Sequence, residues 1–220
     1  MSGLYAEFYN AYAIKEYILN DPQNHRPVSY ILEQEPEVIE TQPSKFRVFL
    51  REMVETLLLA FVLFVLINFL TARVRVDGPS MEPSYYHNNR VVVLKVAYMF
   101  GDIQRGDVIV FPAPPNPDED YIKRVIGLPG DEVMVVDGVV YVNNQPLEEP
   151  YINAKPINSM RPVTVPEGMV FVMGDNRNVS SDSRSWGPLS IEDIIGKAVF
   201  VYWPFERIGL VEHYDLAGGT

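Results

Sequence analysis

At 220 residues with an apolar share of 47%, the chain has room for one ordinary domain with appendages and enough apolar surface for a core, which excludes disorder throughout. A formal net charge of −11, with no cluster of Lys and Arg, argues against a nucleic-acid partner. There is no cysteine, and the three histidines, His25, His87 and His213, are scattered. Disulfides, thiolate catalysis and a His-x-x-x-His zinc pair are therefore excluded, and neither metal nor cofactor is expected.

In chain order, residues 2–20 place Leu4, Tyr5, Phe8, Tyr9, Tyr12, Ile14, Ile18 and Leu19 on an imperfect helical stripe that Asn20-Asp21-Pro22 would stop. This reads as a short amphipathic helix. From Pro27 to Pro43 the chain is acidic and proline-punctuated, with Glu33, Glu35, Glu37 and Glu40, and reads as a linker. Residues 1–45 are thus an N-terminal segment without assigned chemistry.

Thr56–Ala72 is an almost unbroken run of Leu, Val, Phe, Ile and Ala with only Asn68 strongly polar in its interior. As a helix it would be about 25 Å long, slightly short of a hydrocarbon core of about 30 Å. Met53 and Val54 extend it if Glu55 snorkels or pairs with Arg51. A buried core helix is the other reading of such a run; the density of apolar residues favours a single membrane span over 46–72. Lys45, Arg47 and Arg51 before it outnumber Arg73 and Arg75 after it, which puts the N-terminus on the cytoplasmic side and the rest outside.

Beyond Ala72 the pattern becomes β-like. Val91–Val96, Asp107–Phe111, Tyr121–Ile126, Glu132–Val136, Val139–Asn143, Met169–Met173 and Lys197–Trp203 are rich in Val, Ile, Phe and Tyr and bounded by Gly, Pro, Asn and Asp. Asp137-Gly138 between two valine-rich runs signals a two-residue hairpin turn. Ala113–Asp120 and Asn144–Glu167 read as long loops, and Ser190 as the cap of a short helical piece. The expected architecture is a mainly β domain over 73–212 with a tail at 213–220.

One stretch stands directly behind the apolar run: Gly78-Pro79-Ser80-Met81-Glu82-Pro83-Ser84. Gly78 allows a sharp bend and the two prolines a stiff backbone on either side of Ser80, although serine in such company is commonly a turn residue. A nucleophilic serine needs a base, and histidine is poorly supplied: His25 lies beyond the apolar run, His213 in the tail and His87 in the polar turn Tyr86-His87-Asn88-Asn89. Lysine is the other solution. In Tyr121-Ile122-Lys123-Arg124-Val125-Ile126, alternation puts Lys123 on one face with Tyr121 and Val125. Burial there would lower its pKa towards neutrality, whereas a solvated face would leave an ordinary surface lysine.

Gly78–Ser84, Gly106–Phe111, Tyr121–Asp131 and Gly174–Gly187 resemble, in order, the conserved boxes of bacterial type I signal peptidases. The resemblance covers Thr56 to about Phe205. It implies a signal-peptidase-type β domain in which Ser80 is the nucleophile and Lys123 the general base, with Ser180 orienting the lysine amine. It further implies that Asp182 and Arg184 brace the active-site loop, that Met81 helps bury the lysine, and that Tyr121 and Ile122 pair with an extended substrate in the groove. Family members with a serine at the position of Gly78 use its hydroxyl in the oxyanion hole; here stabilisation would fall mainly to the Ser80 amide. Ser84 stands where threonine is common and keeps the hydroxyl.

The implied activity is removal of N-terminal signal peptides from exported preproteins after Ala-x-Ala type sites. The implied partners are those preproteins and the lipid bilayer, with the enzyme a monomer in the cell membrane. The alternative from another class is a non-catalytic, membrane-tethered β-rich interaction module, which has no need of Ser80, Lys123, Ser180 and Asp182 together.

Overall fold

The computed structural model describes residues 44–214 and Leu216; the amphipathic helix and linker expected within residues 1–43 and most of the 213–220 tail lie outside the described residues. The chain divides into two units, Met1–Glu55 and Thr56–Thr220. Helix α1, Lys45–Leu70, is 26 residues long, or about 39 Å, and none of its residues is buried. From Thr56 to Leu70 it carries no charge, so water is a poor solvent for its surface and it is long and apolar enough to cross a membrane. Arg51 Nε donates to Glu55 Oε1 at 2.6 Å, one of the two arrangements under which the span extends. Near the other end Asn68 Nδ2 donates to Phe64 O and Thr71 Oγ1 to Ile67 O. Both side chains satisfy themselves on helix carbonyls, which suits an apolar solvent.

The helix stops two residues before the expected end. Thr71 and Ala72 open strand β1, Thr71–Arg75, which pairs antiparallel with β2, Arg90–Leu94. With Val74 flanked by two arginines, β1 gave little sequence signal; its ladder to β2 decides it.

Two antiparallel sheets follow. The larger takes the order β1-β2-β11-β3-β4-β9-β10, with β12 also on β11. Its further strands are β3 Val108–Ala113, β4 Asn116–Gly127, β9 Met169–Met173, β10 Leu189–Ser190, β11 Gly196–Trp203 and β12 Gly209–Leu210. The smaller runs β7-β6-β5-β8, with β5 Glu132–Val136, β6 Val139–Val142, β7 Gln145–Pro146 and β8 Met160–Thr164. The β5–β6 turn has positive φ at both Asp137 and Gly138, as the dipeptide requires. Ser190 Oγ accepts from Glu192 N at the head of a short 3₁₀ turn.

Both expected loops are corrected. Ala113–Asp120 is the far end of a hairpin: β3 and β4 continue past Phe111 and turn at Pro114-Pro115. Asn116–Asp120 is exposed on both faces, so no apolar alternation marked it. Asn144–Glu167 contains β7 and β8. Pro162 is tolerated in β8 because that strand is a sheet edge.

Strand β4 ties the domain together. Ile122 joins a cluster with Val76, Met81, Val91 and Val108; Ile126 joins one with Val133, Val140 and Phe171; Val125 joins one with Ile109, Phe111 and Val172. From Ile122 to Gly127 the strand is buried on both faces, which leaves two cations, Lys123 and Arg124, inside. Arg124 is fully paired: Nε and Nη2 donate to Asp175 at 2.9 and 2.8 Å, Nη1 donates to the carbonyls of Gly106 and Glu212, and the guanidinium lies 4.2 Å from the Tyr151 ring centroid. Arg177 pairs with Glu149 beside it.

Removing one partner of a buried pair strands the other charge. Arg124→Met should therefore destabilise the folded domain by about 3–5 kcal/mol, read from denaturant unfolding of the full chain in detergent. A loss under about 1 kcal/mol would mean that Asp175 finds solvent or another cation.

Candidate active site

Residues 76–89 form a closed loop that carries Ser80. At its base Val76 N donates to Asn89 O and Asn88 N to Val76 O, extending the β1–β2 ladder. Within it Glu82 N donates to Pro79 O and Tyr85 N to Met81 O, while Met81 and Tyr85 are buried in the core below. Gly78 has φ +79°, a left-handed backbone that glycine adopts freely. From the opposite side Asn176 clamps the turn, its N–H on Ser80 O at 3.0 Å and its Nδ2 on Pro79 O at 3.2 Å. Ser84 Oγ donates to Asp175 Oδ2 at 2.6 Å. Gly174 lies so close that a Cβ there would overlap Ser180 Oγ and the Ser80 carbonyl oxygen.

Lys123 reaches this loop from β4. Its Nζ lies 2.9 Å from Ser80 Oγ and donates to Ile122 O at 2.9 Å; the Tyr121 ring centroid is 4.8 Å away. The side chain is buried, and burial lowers its pKa from 10.5 to about 8, with the Asp182 and Asp175 carboxylates opposing part of that shift. Unlike Arg124, it has no carboxylate within ion-pair distance among the described residues.

Ser180 departs from its expected contact. Its Oγ is buried without a hydrogen-bond partner among the described residues, so the bond to the lysine amine is not formed here. It lines a neighbouring cavity of about 360 Å³ together with Asp182 and Arg184, whereas Ser80 and Lys123 line a separate groove of about 190 Å³ with Val74, Tyr121, Ile122 and Val179. Asp182 caps the short helix α2, Ser183–Trp186. It accepts from Gly174 N and, at 2.8 and 2.7 Å, from Arg184 Nε and Nη2.

Along the groove, β4 is paired on one side by β3, while β9 pairs only Arg124, Val125 and Gly127. Among the described residues Tyr121–Lys123 therefore has no second strand partner beside Ser80, although Ile122 O accepts from Lys123 Nζ. Sequence reasoning missed Arg124, Glu149, Asp175, Asn176 and Arg177, which hold the surroundings of the site. The available signal was a cation inside an apolar strand, which must be paired or neutral if buried.

A buried amine thus stands against a serine hydroxyl at the side of a strand that has one partner there. The signal peptidase family, peptidase S26, matches residues 50–203, and the chain belongs to that family. It is 44% identical over 169 residues to a probable signal peptidase I-1 of Synechocystis sp. (strain ATCC 27184 / PCC 6803 / Kazusa), covering 73% of this chain and 86% of that protein. It is 42% identical to a signal peptidase I of Leptolyngbya laminosa over 73% and 83%. A chloroplastic thylakoidal processing peptidase 1 of Arabidopsis thaliana is 38% identical over 64% of this chain and 45% of its own length.

The lysine has a measurable cost. At pH 7 it is protonated folded and unfolded, and the fold bears the burial of an ammonium; between about pH 8 and 10.5 the folded chain loses that proton first, so stability rises with pH across this window. Lys123→Met should therefore raise the unfolding free energy at pH 7 by on the order of 3 kcal/mol, with the gain shrinking towards pH 10.5. A gain independent of pH, or a loss at pH 7, would contradict a buried, depressed lysine.

Proposed function

We propose that this membrane-anchored peptidase removes signal peptides from preproteins with a Ser80–Lys123 dyad. The single observation that carries the mechanism is the 2.9 Å separation of Lys123 Nζ and Ser80 Oγ at a buried lysine. In this reading the neutral amine accepts the Ser80 proton as Oγ attacks the carbonyl carbon of the scissile bond. The tetrahedral oxyanion takes a hydrogen bond from the Ser80 N–H, since Gly78 supplies no hydroxyl. Lys123 then returns the proton to the leaving amine. The same neutral amine next activates the water that hydrolyses the Ser80 ester.

Ser180 completes the amine's surroundings. Its buried, unpartnered hydroxyl costs about 1–3 kcal/mol, a cost recovered when a small shift turns it onto the Lys123 amine. Asp182 and Arg184 hold that loop in place, and Met81 helps to keep water from the base. The substrate lies extended along Tyr121 and Ile122, and shallow pockets admit small side chains, usually alanine, at the first and third positions before the cut. The enzyme works as a monomer. Its N-terminal segment lies on the cytoplasmic side, the apolar helix ending at Leu70 spans the cell membrane, and the domain from Thr71 onward lies outside, at the depth where a signal peptide leaves the bilayer.

The test is cleavage of a preprotein with an Ala-x-Ala site by the full chain in detergent. Ser80→Ala and Lys123→Ala should each abolish processing with unchanged folding, and a chelator should leave the rate intact. Processing by wild type should rise through an acid limb near pH 8, as Lys123 sheds its proton. Activity retained by either variant would overturn the dyad.

A further inference from the structure

The closed loop that carries Ser80 contains a titratable side chain the mechanism does not use. His87 Nδ1 lies 3.2 Å from the Gly78 backbone nitrogen, placed to accept its N–H, and 3.0 Å from Asp77 Oδ1. One nitrogen cannot serve both. With a lone pair at Nδ1 the ring accepts from Gly78 N–H. With a proton there it donates to the Asp77 carboxylate, and the Gly78 N–H has no acceptor.

The location gives this choice a consequence. Gly78 is the left-handed residue at which the chain bends towards Ser80, two positions on, and with no Cβ its own φ and ψ are soft. The far limb of the loop is rigid: Asn88 N donates to Val76 O, Asn89 Oδ1 accepts from Tyr86 N, and Asn89 is buried. His87 therefore reaches from a fixed limb to a soft one. Among the described residues the charged group that contacts it is Asp77. Arg75 and Asp120 line the groove together with Asp77, and Arg207 stacks over the ring of the adjacent Tyr86 at 3.9 Å.

We propose that His87 is a positioning residue for peptide-bond cleavage: its neutral imidazole holds the Gly78 N–H and so fixes the angle at which Ser80 presents its hydroxyl and its amide. Protonation moves Nδ1 onto Asp77 and releases the turn. This inference rests on Ser80 being the nucleophile. It adds a second proton-sensitive step to the one at Lys123, acting on geometry rather than on the base.

The experiment compares kcat and KM of the full chain in detergent at about pH 8 and about pH 5. Two variants are used: His87→Asn, whose Oδ1 stands in for Nδ1 as an acceptor that cannot be protonated, and His87→Leu, which removes the acceptor. Loss of one positioning hydrogen bond corresponds to about a tenfold fall in rate.

At the higher pH, His87→Asn should keep kcat within about twofold of wild type while His87→Leu falls about tenfold, with KM little changed in either. At the lower pH, wild type should drop to the His87→Leu rate, and His87→Asn should exceed both by about tenfold. A role in packing alone would move stability and leave the ratios of the three rates independent of pH. Equal impairment of both variants, no impairment in either, or pH-independent ratios would each overturn the proposal. Ser80→Ala assayed alongside separates the two readings: its activity would sink the nucleophile assignment whatever the histidine variants do.

Discussion

A primary amine kept out of water is the constraint around which the site is arranged. An ammonium on a strand buried on both faces would ordinarily be paired or lost. Arg124, the next residue, shows the first solution: two hydrogen bonds to Asp175, two carbonyl acceptors and an aromatic face keep its charge inside. Lys123 takes the second course. Asp182 and Asp175 influence it only at a distance, burial dominates, and its proton is held loosely. Adjacent residues on opposite faces of one strand thus have opposite electrostatic fates, because their partners come from different parts of the fold.

The same separation explains how the serine is held. Ser80 belongs to a loop, where binding and reacting groups are commonly carried on a rigid scaffold. The scaffold here is local and double: the β1–β2 ladder closes the loop at its base, and Asn176 clamps it from the Gly174–Gly187 stretch. Gly174 allows that second stretch to approach to contact distance. Ser180 and Ser80 therefore both crowd the position a Cβ would take on Gly174, although each lines its own cavity. Among the described residues the Ser180 hydroxyl is buried and has no hydrogen-bond partner.

The anchor and the domain use different physics. Helix α1 satisfies its backbone internally, Asn68 and Thr71 bond its carbonyls, and its surface from Thr56 to Leu70 is almost wholly apolar. The β domain satisfies its backbone between strands and hides Arg124 and Arg177 in ion pairs, Lys123 being the buried exception. Only β1 and the turn at residues 76–79 separate the two in sequence, so Ser80 follows the apolar run closely along the chain.

Local chemistry was readable residue by residue. The apolar run announced its helix, valine-rich runs between turn residues announced β5, β6 and β9, and the four motifs carried the family, because each of these depends on neighbours a few positions away. What lies on the two faces of a strand does not. Alternation in β4 left open whether Lys123 faced core or solvent, whereas packing from both sides buried Lys123 and Arg124 together, and Asp175, which pairs with Arg124, stands 51 positions along the chain. Exposed pairing escaped notice for the same reason: Asn116–Asp120 and β8 are strands because a partner offers a ladder, with no apolar pattern of their own. The distance between Lys123 and Ser80, the missing partner of Ser180, and the reach of His87 to Gly78 were likewise decided only when the chain closed on itself. Composition and period describe what a segment prefers, and a buried charge or a catalytic distance depends on what arrives opposite it.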